Sequence, residues 1–371
     1  MSENLGKDVY KLGFGCMRFP LLDQGDPASI DQEQLNQMVD LFIASGFTYF
    51  DTAYPYHQGQ SEVAIGKALV HRYPRNAYTV TDKCPCWAIK SEEDFEPIFA
   101  EQLQRTGLDY FDYYWLHNLG KDNYPAMEKY GGFEFLKKIK ADGRAKHIGF
   151  SYHDSPELLD EILTAHPETE YVQLQINYID WENPVIQARA NYEVCVRHGK
   201  PVIVMEPVKG GGLANLPEEA EKQMKELRPN SSLASWAVRF AASLPNVMVV
   251  LSGMSTYEQV VDNVAYMKDF QPLTDAERAV IDNVTDIYNA SVAIPCTGCR
   301  YCVDDCPKKL DIPTYFSMYN FQRHLPGLYS RATHGHGKAS DCIGCRSCER
   351  HCPQHLPITE FLKQIAAHYG Y

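Results

Sequence analysis

Eight of the twelve cysteines lie near the C-terminus, in two copies of the spacing C-x2-C-x2-C-x3-C-P. Such a run presents three thiolates from one loop and a fourth from the segment that follows, which suits a cluster of several irons. Zinc is the alternative, because four-cysteine zinc sites use paired C-x2-C units. Zinc, however, explains neither the third cysteine nor the proline. The two copies are Cys296, Cys299, Cys302 and Cys306, and Cys342, Cys345, Cys348 and Cys352.

This region resembles a bacterial-type two-[4Fe-4S] ferredoxin domain, in which the fourth cysteine of each run ligates the other cluster. Lys and Arg would offset the negative charge of the thiolate-ligated clusters. From Cys296 onwards nine Lys and Arg exceed six Asp and Glu, although the whole chain carries a net charge of -13. The resemblance implies cluster 1 on Cys296, Cys299, Cys302 and Cys352, and cluster 2 on Cys342, Cys345, Cys348 and Cys306.

Four other residues, Asp51, Tyr56, Lys83 and His117, suit the acid-assisted reduction of a carbonyl group. A tyrosine titrates near ~10, so an adjacent ammonium that favours the phenolate would make it a better proton donor. A buried Lys83 needs a counter-charge, which Asp51 would supply. A neutral His117 would donate a hydrogen bond to the substrate oxygen. Tyr54 competes with Tyr56 for the acid role.

The segments that would position these groups alternate strand and helix patterns eight times, which is typical of a (β/α)8 barrel. A barrel places its chemistry at the C-terminal ends of the strands, where FDTAYPY, TDKC and WLHN stand. A doubly wound sheet is the rival, weakened because no G-x-G-x-x-G turn follows the first strand. The strand segments are YKLGFGCM, TYFDTA, AYTVTDKC, YFDYYWLH, AKHIGFSY, YVQLQINY, PVIVMEPV and VMVVLSGM.

The barrel segment resembles the aldo-keto reductase family, whose members are (β/α)8 barrels that use NAD(P)H without a metal. The resemblance implies Tyr56 as general acid, Lys83 as its pKa partner, Asp51 as the bridge to Lys83 and His117 as the substrate orienter. The step from Asp51 matches the family at Tyr56 rather than at Tyr54. The matching pieces are LGFGCMR, FDTAYPYHQGQSE, the lysine of TDKC, the histidine of YYWLHN, GFSYHD, QINY and LSGMSTYEQVVDNV.

The same resemblance implies a nicotinamide site. Ser151, Gln175 and Asn177 would hold the carboxamide, with Tyr178 near the ring, and residues after strand 8 would approach the phosphates. That last segment lacks the cations common in NADPH-preferring members, so NADH and NADPH both stay open. The glycine run MEPVKGGGL fits either a loop over a cofactor phosphate or a plain rim loop. The expected cofactor-binding residues are Ser151, Gln175, Asn177, Tyr178, Lys209, Gly253, Ser255, Gln259 and Asn263.

The length of 371 residues suits one large and one small domain. We expect an α/β fold, with the (β/α)8 barrel in residues 1–272, a connecting helix in 273–294 and the ferredoxin-like iron–sulfur domain in 295–371. The N-terminus MSENLGKDVY has no signal-peptide pattern, and no apolar run approaches the ~18 residues of a membrane span. A cytoplasmic protein is therefore expected, and its net negative charge argues against nucleic acid as a partner.

The sequence leaves three hypotheses for the function, because a hydride carries two electrons whereas each cluster accepts one electron. We favour a carbonyl reductase acting on a small carbonyl or alcohol, with structural or sensory clusters. In the second hypothesis an external electron-transfer protein supplies single electrons, which the clusters pass to a flavin or substrate in the barrel. No flavin-specific motif is present, although a barrel phosphate site can hold FMN. The third hypothesis is a cofactor-binding sensor or accessory subunit.

Overall fold

A computed structural model of the chain describes residues 10–321, 329 and 332–369. Eight parallel strands close into a barrel, each hydrogen-bonded to the next and β8 to β1. This confirms the (β/α)8 barrel and excludes the doubly wound sheet. The strands are β1 Leu12–Gly15, β2 Tyr49–Asp51, β3 Thr79–Cys84, β4 Phe111–Leu119, β5 Ala145–Tyr152, β6 Tyr171–Gln175, β7 Val202–Met205 and β8 Val247–Ser252.

Helices alternate with these strands, and several begin with a side-chain cap. The side chains of Asp31, Ser155 and Thr256 each accept a backbone N–H of the first turn that follows. The helices are α1 Gln32–Ala44, α2 Gln60–Ile65, α3 Phe95–Thr106, α4 Tyr124–Tyr130, α5 Gly132–Ala141, α6 Pro156–Ala165, α7 Ala188–Arg197, α8 Glu218–Leu227, α9 Leu233–Ala242, α10 Tyr257–Lys268 and α11 Asp275–Ser291.

The chain divides into two compact units. The first contains the barrel strands, and the second contains Asn183–Ile186, Val208–Leu233 and Asp275–Tyr371. The second unit thus includes Val208–Leu233, which lies inside the range expected for the barrel. The domain boundaries expected from sequence stay a prediction. No helix among the described residues is both long and apolar enough to cross a membrane.

The cysteine-rich part of the second unit has an apolar core of its own. Leu310, Tyr315, Phe316, Leu362 and Ile365 are fully buried in it. Two short helices carry the third cysteine of each run, and two longer helices supply most of the core. These helices are α12 Tyr301–Asp304, α13 Ile312–Phe321, α14 Ser347–Arg350 and α15 Ile358–Tyr369.

Large aromatic side chains fill the barrel interior. Trp115 on β4 is fully buried, and its ring centroid lies 5.4 Å from that of Tyr113 and 6.3 Å from that of Tyr171. Gly149 on β5 pairs with both Trp115 and Tyr171 and leaves room for the indole. A Cβ at Gly149 would stand 2.2 Å from the Tyr171 carbonyl oxygen and 2.6 Å from the Trp115 ring. Close packing of the barrel therefore requires glycine here.

Gly149→Ala is expected to lower the free energy of unfolding by about 3 kcal/mol, because both a backbone carbonyl and a locked indole must move. Gly143→Ala is the control, since its Cβ would meet nothing within 4 Å of the described atoms and only its φ of +75° is unfavourable. That strain costs about 1–2 kcal/mol. Urea unfolding followed by circular dichroism measures both variants. Equal midpoints would contradict the packing argument.

Candidate functional site

A buried ion pair joins the C-terminal ends of β2 and β3. Lys83 Nζ donates to Asp51 Oδ1 at 2.5 Å and to the Thr52 carbonyl oxygen at 2.6 Å. The other carboxylate oxygen of Asp51 accepts from Gln173 Nε2 at 3.0 Å. Burial raises the pKa of Asp51, whereas Lys83 and Gln173 oppose that rise. Both charges can be buried because each has hydrogen-bond partners.

Tyr56 and His117 complete the group of four that the sequence predicts. Lys83 Nζ lies 5.0 Å from the centroid of the Tyr56 ring. The Tyr56 and His117 rings meet edge to face, with centroids 6.0 Å apart and an interplanar angle of 85°. The structure therefore brings Asp51, Tyr56, Lys83 and His117 together at one rim of the barrel, as a (β/α)8 barrel requires of an active site.

Tyr54, the competing candidate for the acid, is held in a different group of side chains. Its hydroxyl donates to Glu101 Oε2 on α3 at 3.0 Å. The Arg105 guanidinium carbon lies 4.5 Å from the centroid of the Tyr54 ring. This geometry gives Tyr54 a role in packing α3, and leaves Tyr56 as the tyrosine beside Lys83.

Two pKa shifts define the protonation states at this rim. Burial first, and then the Asp51 charge, raises the pKa of Tyr56 well above its usual value. This is opposite to the lowering by Lys83 that the sequence suggested, and the Lys83 ammonium is engaged with Asp51. Burial first, and then Lys83 and His153, lowers the pKa of His117 well below its usual range. Near neutral pH Tyr56 is therefore a phenol and His117 a neutral imidazole.

Sequence reasoning missed two residues at this rim. Gln173 is the Asp51 partner, and the alternation YVQLQ on β6 was an available signal, because residues two apart face the same side of a strand. Glu206 follows β7 with a φ of 56°, and its charge contributes to the raised pKa of Tyr56. Nothing in the sequence around Glu206 indicated this proximity.

An aromatic neighbour stands beside the candidate substrate site. The Trp87 ring centroid lies 5.2 Å from that of His117, and Trp87 is 42% exposed. His117 Nδ1 is buried and has no hydrogen-bond partner among the described residues. A partly exposed indole next to a neutral imidazole forms a wall that suits a small organic molecule.

The residues expected to hold the nicotinamide ring lie at the ends of β5 and β6. Asp180 Oδ2 accepts hydrogen bonds from two of them, from Gln175 Nε2 at 2.8 Å and from Asn177 Nδ2 at 2.6 Å. Ser151 Oγ accepts a backbone N–H from β4 at 2.7 Å. The Tyr178 ring is buried. These side chains are thus oriented by hydrogen bonds that the sequence did not predict.

In the segment after β8, side-chain amides form hydrogen bonds with the backbone of the same segment. Gln259 Oε1 accepts the Ser255 N–H at 2.7 Å, and Asn263 Nδ2 donates to the Gln259 carbonyl at 2.8 Å. Arg18 packs against Gly253, where a Cβ would stand 3.2 Å from Arg18 Cδ. A cation therefore lies beside this segment after all. Arg18 follows β1 and is far from this segment in the sequence, so inspection of the segment alone did not find it.

Lys209 and the glycine run lie in the second unit, against the first cysteine loop. Lys209 is 3% exposed, and its Nζ lies 3.4 Å from Gln354 Oε1. A Cβ at Gly210 would stand only 2.0 Å from the Thr297 carbonyl oxygen. The glycine run therefore permits a close approach of two backbones. This reason for glycine differs from both that the sequence suggested, a loop over a cofactor phosphate and a plain rim loop.

The eight C-terminal cysteines line two small cavities, four cysteines in each. The two loops share a backbone pattern, with positive φ at Gly298 and Arg300 and again at Gly344 and Arg346. Among the described residues no group of His, Cys, Asp and Glu is arranged to hold a single metal ion. The donor set around each cavity is four thiols, which fits a [4Fe-4S] cluster. One cavity is lined by Cys296, Cys299, Cys302 and Cys352, and the other by Cys306, Cys342, Cys345 and Cys348.

The fold and these sites define a (β/α)8-barrel oxidoreductase with an iron–sulfur region. Residues 11–286 match the model of the aldo/keto reductase family, and the chain belongs to that family. Residues 295–356 match the model of the 4Fe-4S dicluster domain, which bears out the prediction of two iron–sulfur clusters.

Similar proteins agree with this family. A probable aldo-keto reductase 1 of Glycine max is 29% identical over 188 residues, which are 48% of this chain and 51% of that protein. The NADH-specific methylglyoxal reductase of Escherichia coli (strain K12) is 25% identical over 65% of this chain and 84% of its own. An aldo-keto reductase of Klebsiella pneumoniae, solved with NADPH, has a TM-score of 0.61 and 22% identity, over 75% of this chain and 91% of its own.

Gly210→Ala is expected to lower the iron content by up to about half, because the new Cβ would displace the loop that carries two cysteines of one run. Gly211→Ala is a matched control, with a φ of +94° but no described atom within 4 Å of its Cβ. Iron and sulfide per chain after anaerobic purification measure the effect. Equal iron in the two variants would show that the close approach is unimportant.

Proposed function

We propose that the barrel reduces a small aldehyde or ketone, or oxidises the corresponding alcohol, by hydride transfer with NADPH or NADH. The observation that carries the proposal is the group Asp51, Tyr56, Lys83 and His117, with a buried ion pair, a phenol and a neutral imidazole at one rim. The family membership supports it. So do the names of relatives that use NADH or were solved with NADPH.

Each of the four residues has a definable role in this proposal. The bound nicotinamide would supply the hydride to the carbonyl carbon. Tyr56 donates its phenolic proton to the carbonyl oxygen, and its raised pKa keeps it protonated until then. The Lys83 ammonium, held by Asp51, stabilises the phenolate that remains, because an adjacent positive charge favours the charged form. His117 orients the carbonyl by a hydrogen bond from its neutral ring.

The cofactor site belongs to the same proposal. Gln175 and Asn177, oriented by Asp180, and Ser151 would bind the carboxamide, with Tyr178 beside the ring. The phosphates would approach the segment from Gly253 to Asn263. There α10 begins, and a phosphate would take the place of the side chains that now accept the Ser255, Tyr257 and Gln259 N–H groups. Arg18 packs against Gly253.

For the iron–sulfur region we propose crossed ligation. The motif spacing and the cavity linings support the same two sets of four cysteines. We also propose a cytoplasmic location, because thiols stay reduced there and remain available as ligands. Cluster 1 is assigned to Cys296, Cys299, Cys302 and Cys352, and cluster 2 to Cys342, Cys345, Cys348 and Cys306.

The second candidate function is electron transfer through the clusters. It is favoured by the exposure of Cys345, a ligand of the proposed cluster 2. The sensor hypothesis is set aside, because a pure binding module needs no buried ion pair beside a phenol and an imidazole.

Tyr56→Phe is expected to lower kcat/KM for carbonyl reduction about 10²- to 10⁴-fold, because the ring stays over Lys83 but the proton is lost. Tyr54→Phe is the matched control and should keep its activity, since the Tyr54 hydroxyl bonds to Glu101. The assay follows NADPH and NADH oxidation with a panel of small aldehydes, methylglyoxal included. Equal losses in the two variants would contradict the assignment of the acid.

An anaerobic titration with NADPH, repeated with NADH, separates the two candidate functions. If the barrel is a plain reductase, the clusters stay oxidised in optical and EPR spectra, while dithionite reduces them. We expect this outcome, because a hydride donor passes two electrons and a cluster accepts one. A reduced-cluster EPR signal after NADPH alone would contradict it and favour electron transfer through the clusters.

A further inference from the structure

The chain makes a left-handed turn immediately after Tyr56. His57, Gln58 and Gly59 have φ values of 53°, 54° and 82°. Glycine takes such values freely, but two other residues in succession are unfavourable there, because each Cβ crowds the carbonyl oxygen that follows. Backbone of this kind persists only where the surrounding structure fixes it. The contacts that fix the turn therefore bear on the position of Tyr56.

The His57 side chain joins the turn to the loop after β1 by three contacts. Its Nε2 accepts the Phe19 N–H at 3.1 Å, and its Nδ1 lies 2.7 Å from the Pro27 carbonyl oxygen. Its ring also stacks on the Phe19 ring, with centroids 5.2 Å apart and an interplanar angle of 10°. One imidazole thus contacts two separate points of that loop.

A single protonation state satisfies both hydrogen bonds. A backbone N–H can only donate, so His57 Nε2 carries the lone pair, and Nδ1 carries the proton that is donated to Pro27. Burial lowers the pKa of His57, as does the Arg18 charge, whereas the hydrogen bond to Pro27 opposes that shift. Near neutral pH the ring is therefore neutral, in the tautomer that both contacts need.

The loop that receives the imidazole is closed at its base. The Asp31 N–H donates to the Pro20 carbonyl oxygen at 2.8 Å, next to Phe19, whose side chain is buried. Phe19 and Pro27 therefore belong to a loop with hydrogen bonds of its own, which gives the imidazole two fixed points.

Other hydrogen bonds fix the two ends of the segment that contains Tyr56. Lys83 Nζ donates to the Thr52 carbonyl oxygen at 2.6 Å. The Ser61 hydroxyl oxygen lies 2.9 Å from that of Thr52, and the Ser61 hydroxyl donates to the Cys16 carbonyl oxygen at 3.0 Å. With Thr52 and Ser61 held, the turn between them determines the direction in which Tyr56 points.

We propose that His57 is a positioning residue, which holds the left-handed turn and thereby keeps the Tyr56 phenol beside Lys83. Its contacts with the loop after β1 offset the unfavourable backbone of the turn. Without them the turn would relax, and the Tyr56 ring, whose centroid lies 5.0 Å from Lys83 Nζ, would move. This inference rests on the proposed carbonyl reduction, in which Tyr56 is the acid. Misplacement of a reacting group by about 1 Å can slow a reaction about 10²-fold.

The test compares His57→Gly with Gln58→Gly in carbonyl reduction by the full-length protein with its clusters. Glycine accepts a positive φ at both positions, so neither variant adds backbone strain. Gln58 is exposed, and only His57→Gly removes the contacts with Phe19 and Pro27. His57→Gly is expected to lower kcat at least about tenfold and to leave the KM for NADPH within about twofold of the parent value. Gln58→Gly should keep both constants.

Two further variants show whether His57 acts through Tyr56. His57→Asn keeps a donor for Pro27 and a side chain that tolerates positive φ, so it should recover part of the lost kcat. In a Tyr56→Phe background, His57→Gly should cause no further loss of kcat, because the hydroxyl that it positions is already absent. General damage to the barrel would instead lower kcat by the same factor in both backgrounds.

Hydrogen exchange followed by mass spectrometry tests the anchor without substrate. Peptides that contain Phe19, and peptides from residues 52–60, should exchange faster in His57→Gly than in the parent protein, because the Phe19 N–H loses its acceptor and the turn is released. In Gln58→Gly the same peptides should exchange at the parent rate.

Two kinetic results would overturn the proposal. One is a His57→Gly variant with the kcat of the parent, and the other is an equal loss of kcat with and without the Tyr56 hydroxyl. If the parent protein reduces no carbonyl, the proposed function fails and hydrogen exchange decides on His57. Faster exchange in His57→Gly then supports the anchor, and equal exchange overturns it.

Discussion

The rim of the barrel depends on the burial of the Lys83 ammonium against the Asp51 carboxylate. Removing both charges from water is costly, and the cost is offset only when each group finds partners in fixed positions. Thr52 and Gln173 are those partners. The ion pair therefore ties together the ends of β2 and β3 and the middle of β6. Tyr56 lies over the ammonium so fixed, and His117 meets the edge of Tyr56.

A second constraint is close packing at two glycines, where neighbouring atoms leave no room for a Cβ. Gly149 lets Trp115 fill the barrel interior, and Gly210 lets the loop after β7 touch the first cysteine loop. The two positions require glycine for different reasons. At Gly149 it is the Tyr171 carbonyl and the volume of the Trp115 indole, and at Gly210 it is a positive φ together with a neighbouring carbonyl.

The two cysteine runs show how a repeated spacing produces a repeated backbone. Positive φ recurs at the glycine between the first and second cysteines, and at the arginine between the second and third cysteines, of each run. Yet the surroundings differ, because the first run meets the glycine loop and the second leaves Cys345 and Ile343 exposed. The same local motif thus gives two cysteine-lined cavities, and only the second has an exposed cysteine, Cys345, in its lining.

By itself the sequence determined the barrel, because eight alternations of period-2 and helical patterns are local signals. It also indicated the four rim residues and the eight cysteines, whose types and spacings carry their chemistry. It did not indicate Gln173, Glu206 or Arg18, nor the place of Lys209. Those contacts join segments far apart in the chain, and only the tertiary structure decides which side chains share a buried space and what burial does to the pKa of Tyr56 and His117.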